Sequence, residues 1–257
     1  MNDVARLFEI FLDIQRGLPR QGPGCTEATR EALTLCGALP DGLGVLDVGC
    51  GPGLQTMTLA EALGGALGRP IAALDKYGEY LTQLKASCAA RGLASRIAPL
   101  QGDMEALPFK DGSFDLIWAE GSAYIMGFAE AFSAWRPLLR PGGCIAATEL
   151  TWLVAEPPEE AARFFAEEYP AMTDVETNLA SLRAAGYEGL GHFTLPEAAW
   201  WTDYYAPLEA KLPALRARYA EDAAARDVLA ASAREIAMRR RYPDSYGYVF
   251  FVGRRAD

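Results

Sequence analysis

Between residues 43 and 150 the chain alternates two apolar patterns. Short, nearly continuous apolar runs at 44–48, 71–74, 97–100, 114–118 and 144–150 read as buried strands. Apolar positions three and four apart predict helices over 54–64, 78–90 and 128–139 between them. Leu139-Arg140-Pro141-Gly142-Gly143 reads as a helix stop and turn before the fifth strand. Strands regularly separated by helices predict a doubly wound α/β sheet with parallel neighbours and right-handed crossovers.

The flanks are patterned differently. Residues 4–16 place Val4, Leu7, Phe8, Phe11, Leu12 and Ile14 on one face, an amphipathic helix that the glycines and prolines of 17–24 break. A second helix is expected behind an N-cap at Thr26. Beyond residue 150, helices are expected over 157–169 and 174–185, a strand near 191–195, a helical block over 197–241 and a last strand over 246–253. No repeat or low-complexity linker interrupts this, so 1–257 is read as one domain. Its parts are an N-terminal helical lid at 1–42, a ligand-binding core at 43–150, and completion of the sheet at 151–257 with a cap insertion at about 197–241.

Composition narrows the class. Hydrophobic residues make up 51% and charged residues 23%, as in soluble globular chains, and the net charge is −10. Such a field repels phosphates, so no nucleic-acid partner is expected, and the basic run Arg239-Arg240-Arg241 reads as a solvated helix end. No apolar stretch is long enough to span a bilayer, and Asp3, Arg6 and Glu9 break the first apolar pattern, unlike a signal peptide. Cysteines 25, 36, 50, 88 and 144 show no paired metal spacing and read as reduced thiols. The expectation is a cytoplasmic protein, monomer or homodimer, with no membrane partner and no metal.

The densest signal is Val45-Leu46-Asp47-Val48-Gly49-Cys50-Gly51-Pro52-Gly53, a strand, a glycine turn and then the start of a helix. Missing side chains let a ligand lie against backbone, with helix amides aimed at it. The third glycine of a dinucleotide fingerprint is absent, since position 54 is Leu, and no GK[ST] follows to make a P-loop. Asp47 would repel a pyrophosphate but can orient an ammonium, which favours a sulfonium nucleoside with a methionine tail. Asp75 closes the second strand, where a carboxylate can accept ribose hydroxyls. Gly102-Asp103-Met104 follows the third strand, where an acid can meet an adenine amino group and Met104 can flank the ring.

In that order, 45–53, Asp75, 102–104, 114–120 and 138–143 resemble the motifs of class I S-adenosylmethionine-dependent methyltransferases. The resemblance covers about 43–150, and 246–253 resembles the last strand of that fold. It implies a seven-stranded sheet of order 3-2-1-4-5-7-6 with the last strand antiparallel, helical cap insertions, S-adenosyl-L-methionine as cofactor and a small-molecule acceptor. By it, Gly49, Cys50 and Gly51 cradle the methionine portion, Asp75 the ribose, and Asp103 with Met104 the adenine; Lys76 and Gly102 sit beside them.

Other candidates come from chemistry alone. Arg20 has the fork that pairs with a carboxylate. Glu120 and Tyr124 follow the fourth strand, where cofactor or acceptor is met, and are the candidate catalytic groups. Tyr124, Trp152, Trp201 and Tyr205 are candidate acceptor contacts, although aromatics also make cores. His192, the single histidine, is a candidate base or a packed residue. Glu120-Gly121-Ser122 stands where amino-group methyltransferases of nucleobases or glutamine carry Asn-Pro-Pro-aromatic, and no CxxxCxxC run supports radical chemistry. The alternatives are an NAD(P)-dependent oxidoreductase and a non-catalytic S-adenosylmethionine sensor.

Overall fold

The structure, a computed structural model, describes residues 3–257. Its elements run α1 (Asp3–Gln15), α2 (Thr26–Leu35), β1 (Val45–Val48), α3 (Leu54–Leu63), β2 (Ile71–Asp75) and α4 (Gly78–Ala90). Next come β3 (Ile97–Gln101), β4 (Phe114–Ala119), α5 (Phe128–Trp135), β5 (Leu139–Trp152), α6 (Glu159–Glu168) and β6 (Thr173–Asp174). The chain closes with α7 (Val175–Ala184), β7 (Tyr187–Thr194), α8 (Ala198–Trp200), α9 (Ala206–Arg218), α10 (Ala223–Arg241) and β8 (Tyr246–Arg255). The sheet order is β3-β2-β1-β4-β5-β8-β7, with β8 antiparallel to both neighbours. This is the expected order, renumbered by one short extra strand, β6, which pairs with the end of β5.

Every residue of β1, β2 and β4 is buried because helices cover both faces of a parallel sheet. One face packs α2, α3 and α4 against Val45, Trp118 and Phe250; the other packs α5 and α7 against Leu46, Ile117 and Phe251. A third cluster joins Ile10 and Ile14 of α1 to Phe165, Trp200, Tyr205, Leu212 and Ile236 of the cap. The two expected lid helices therefore part company. Ala28 and Ala32 put α2 in the sheet core, whereas α1 belongs to the cap.

Local expectations shift in three places. Cys25, not Thr26, caps α2, its sulfur accepting from the Ala28 amide at 3.5 Å. The helix expected over 128–139 ends at Trp135 and tightens into a 3-10 turn, Arg136–Leu138. Residues 139–143 are not a free turn: Leu139 already pairs with Phe114, and the glycines are absorbed as a bulge before Cys144 meets Leu116. In the cap, a π-helical turn, Trp201–Tyr205, joins α8 to α9.

Two features position a site. The chain reverses direction across the sheet between β1 and β4, opening a crevice beyond their carboxyl ends. In addition, β4 stops at Ala119, opposite Ala147, while β5 continues to Trp152 and meets β6 at Thr151 and Trp152. Because β8 lies along the other edge of β5, Thr148, Glu149 and Leu150 have no strand neighbour on the β4 side. The turn after β4 covers that stretch: the Gly121 amide donates to the Thr148 hydroxyl at 2.7 Å, and Glu149 is 2% exposed.

Candidate functional site

The turn after β1 holds Gly49, Gly51 and Gly53 at φ of 72°, 53° and 83°, the left-handed region that glycine enters without strain. Amides of Gly49 and Cys50 donate to the Leu74 carbonyl at 2.8 and 2.9 Å, tying the turn to β2. A Cβ on Gly49 would stand 2.4 Å from the Ser122 Cβ, and Ser122 is itself fixed by donating to the Val48 carbonyl at 2.6 Å. Gly49→Ala is therefore expected to cost about 1–2 kcal/mol in backbone strain before the clash is counted. A denaturant midpoint equal to wild type would refute that.

A cavity of about 370 Å³ opens over this turn, in the range of small-molecule sites. It is lined by Arg20, Gly49, Cys50, Gly51, Asp75, Lys76, Gly102, Asp103, Met104, Glu120 and Tyr124 among others. Phe11, Gln21, Tyr77, Tyr80, Ser122 and Ile125 also line it without having been singled out as site residues from sequence. Tyr77 could have been, since it follows Asp75 by two residues at the strand end. Phe11 could not, because its helix reaches the crevice only through the cap.

Asp75 accepts from the Gly51 amide at 2.8 Å and the Tyr77 amide at 2.9 Å. Burial pushes its carboxyl above the usual carboxylate range while those amides oppose the rise. Each oxygen keeps a lone pair for a further donor. At the outer rim Lys76 donates to Asp103 at 2.9 Å, a solvated pair that fixes little energy. Met104 lies beside the glycine turn, its Cε 3.4 Å from where a Gly49 Cβ would be.

Beneath the pocket lies Asp47, wholly buried and absent from the lining, so the sequence-based placement of this acid against an ammonium needs correction. One oxygen accepts from the Thr56 hydroxyl at 2.5 Å; the other has no partner. Burial, then the charges of Glu120 and Asp75, pushes its carboxyl up to about 7.

Glu120 is a correction of another kind. Its side chain is 2% accessible and engaged by three donors: Arg20 at 2.7 Å, Thr29 at 2.6 Å and Trp118 at 2.8 Å. A carboxylate so held cannot act as a free base; it positions Arg20. The arginine is in turn 4% exposed, and its Nε and second Nη are buried without a partner at the cavity wall. Buried donors left open are rare, and a guanidinium with two free N–H groups presents a fork for a carboxylate.

Three of the four aromatic candidates are elsewhere. Trp152 packs edge-on against Phe165, Trp201 donates to Glu197 at 2.6 Å under the Arg240 guanidinium, and the buried Tyr205 donates to Glu235 at 2.7 Å. None of the three lines the cavity. Tyr124 does line it, and burial pushes its phenol above the ordinary value, so it stays a hydrogen-bond donor at neutral pH. His192 is exposed on β7, stacked 6.3 Å from Phe251 and remote from the lining. Among the described residues no group of His, Cys, Asp and Glu could hold a metal ion, and no helix is long and apolar enough to cross a membrane.

Comparison with known proteins agrees with this geometry. Residues 45–143 match a family described as a methyltransferase domain. A malonyl-(acyl-carrier protein) O-methyltransferase of Pseudescherichia vulneris is 31% identical over 140 residues, half of this chain and 51% of that protein. The chain thus spans about half the length of the curated relatives it matches. A methyltransferase of Geobacter sulfurreducens, solved with S-adenosyl-L-homocysteine, superposes with a TM-score of 0.78 at 23% identity, covering 98% of this chain and 99% of that one. The 4+2 cyclase SpnF has the same fold, with a TM-score of 0.73 at 21% identity over 98% of this chain and 95% of its own.

Proposed function

We propose that this chain, whose core is a class I S-adenosylmethionine-dependent methyltransferase domain, transfers the cofactor methyl group to a small-molecule acceptor. The observation that carries this reading is the open fork of Arg20, two buried N–H groups without partners beside a glycine turn. A methionine carboxylate satisfies that fork; a nicotinamide dinucleotide would bring a pyrophosphate toward Asp47 and Asp75 instead. Backbone of Gly49, Cys50 and Gly51 approaches the methionine portion, Asp75 accepts the ribose hydroxyls, and Asp103 with Met104 borders the adenine. The bound cofactor supplies a methyl group on a sulfonium, moved by in-line displacement.

This chain's own share is alignment and dryness. Glu120 holds Arg20 in place, Ser122 fixes the loop above β1, and Phe11, Tyr80 and Ile125 give the wall apolar surface. The same fold carries a cyclase, so turnover has to be measured and not inferred from architecture.

Calorimetry with S-adenosylmethionine, S-adenosylhomocysteine and NADH tests the cofactor. Both sulfur nucleosides should bind and NADH should not; the reverse would favour an oxidoreductase. Binding without methyl transfer to any acceptor in a broad panel would leave a sensor. Asp75→Ala should weaken S-adenosylhomocysteine binding by roughly 1–3 kcal/mol, or about five- to a hundred-and-fifty-fold. Unchanged affinity would remove Asp75 from the ribose.

A further inference from the structure

The chain between α1 and α2 carries Arg20 across the join between cap and sheet, and the cap fastens its start. Lys211 of α9 donates to the carbonyls of Asp13, Ile14 and Arg16 at 3.2, 2.6 and 2.6 Å. All the donors of one ammonium are thereby spent on closing the end of α1. That helix has no basic residue in its own last turn, so a cation from another helix meets the negative end of its dipole. Beside it the buried Asp13 accepts from Arg218 at 2.8 Å and from Tyr219 at 2.9 Å. Leu18, the next apolar residue along, packs in the cap cluster.

The far end of this segment is fastened to the cap as well, the Gly24 amide donating to the Ala199 carbonyl of α8 at 3.0 Å. Gly24 also makes room for the ion pair. A Cβ there would stand 2.4 Å from Nη1 of Arg20 and 3.0 Å from Oε2 of Glu120, the two atoms that meet in the buried bridge. Its φ is not in the left-handed region, so the missing side chain matters here for space and not for backbone conformation. The sheet side is reached differently. Gln83 of α4 donates to the Leu18 carbonyl at 3.1 Å, and an exposed Arg16–Glu79 pair at 3.3 Å adds little. Arg20 thus has its backbone hung on the cap and its guanidinium held by the residue that follows β4.

We infer that residues 16–24 are a strap through which the cap sets the place of the Arg20 fork, with Lys211 and Gly24 as its positioning residues; the inference rests on the cofactor reading above. Glu120 holds one nitrogen of the guanidinium and leaves the aim of the other two to the backbone. A fork must offer both N–H groups in the plane of the carboxylate it meets, and a misplacement of about 1 Å spoils such an alignment. Without Lys211 the last carbonyls of α1 lose their donors, the helix end frays, and the start of the strap shifts. A methyl group on Gly24 presses on the ion pair from the other side. Neither residue lines the cavity, so both act through Arg20. The adenine and ribose contacts belong to strand ends outside the strap, so disturbing it selectively weakens the hold on the amino-acid tail.

The test compares two ligands of the full chain by calorimetry, S-adenosylhomocysteine and 5′-methylthioadenosine. They share adenine, ribose and thioether and differ in the amino-acid tail. Wild type should bind S-adenosylhomocysteine at least about ten-fold more tightly. Lys211→Met and Gly24→Ala should each cut that preference by about five-fold or more, with 5′-methylthioadenosine affinity within about two-fold of wild type. Phe165→Leu trims the same cap cluster but leaves every bond of the strap, so it should lower the melting temperature and keep the preference. An intact preference in either strap variant, an equal loss for both ligands, or the same loss in Phe165→Leu overturns the assignment. Gly24→Ala needs no unusual backbone, which keeps the test decisive if Lys211→Met fails to fold. A wild-type protein that binds neither ligand overturns the cofactor reading instead, so the two ideas fail separately.

Discussion

Arg20→Met is expected to lower the melting temperature by at least about 6 °C and to abolish detectable S-adenosylhomocysteine binding. The stability loss follows from what is left behind. Glu120 is 2% accessible at its side chain and would lose the guanidinium that pairs with it. Breaking a buried ion pair from one side costs roughly 3–5 kcal/mol, and each kcal/mol is worth about 2–4 °C in a chain of this size. Thr29 and Trp118 still donate to the carboxylate, which puts the expectation at the lower end. The double variant Arg20→Met with Glu120→Gln removes the stranded charge and should recover at least half of the loss without restoring binding. Calorimetric melting of the three proteins decides it. A single variant within 2 °C of wild type would mean the pair is not desolvated as the structure describes.

The second large effect is on pH dependence. Burial raises the Asp47 carboxyl from 3.8 to about 7. A carboxyl raised on folding binds its proton more tightly in the folded state. Its contribution is therefore complete below about pH 4 and is lost as pH rises through 7. Each unit is worth about 1.4 kcal/mol, so Asp47 alone could withdraw up to roughly 4 kcal/mol between those limits. Denaturant unfolding at pH 5 and pH 8 should show wild type less stable at the higher pH. In Asp47→Asn, which stays neutral throughout, that difference should shrink by about 2 kcal/mol or more. Identical differences in the two proteins would place the ionised acid in a far better solvated setting.

Most of the sheet was legible because strand and helix patterns are local. Burial on both faces leaves a continuous apolar run, and a strand-to-helix turn that needs positive φ leaves glycine, as at Gly49, Gly51 and Gly53. β6 left no such trace: two residues, Thr173 and Asp174, have no period, and they pair only because β5 overruns β4. The Cys25 cap was hidden behind a better capping residue, Thr26. Residues 139–143 carry every mark of a turn, yet Leu139 finds a strand partner and the glycines become a bulge.

The site divides in the same way. Asp75, Asp103 and Met104 occupy ends of strands, and a strand end in a doubly wound sheet faces the crevice wherever the chain goes afterwards. The aromatic residues of the cap have no such constraint, since Trp and Tyr serve a core or a binding wall equally well. Trp152, Trp201 and Tyr205 went to the cap core, while Phe11, Tyr77 and Tyr80 reached the cavity.

The sequence by itself determined the β-α succession, the glycine turn and the acids at the strand ends, because these depend on backbone geometry and burial within a few residues. Only the tertiary structure decided which acids are free to meet a ligand. Glu120 is taken by Arg20 across 100 residues of chain, Asp47 sinks beneath the floor, and Glu149 is buried with one oxygen unpartnered. A carboxylate's role depends on its desolvation and its partners through space, and neither is a property of the residue or of its neighbours in sequence.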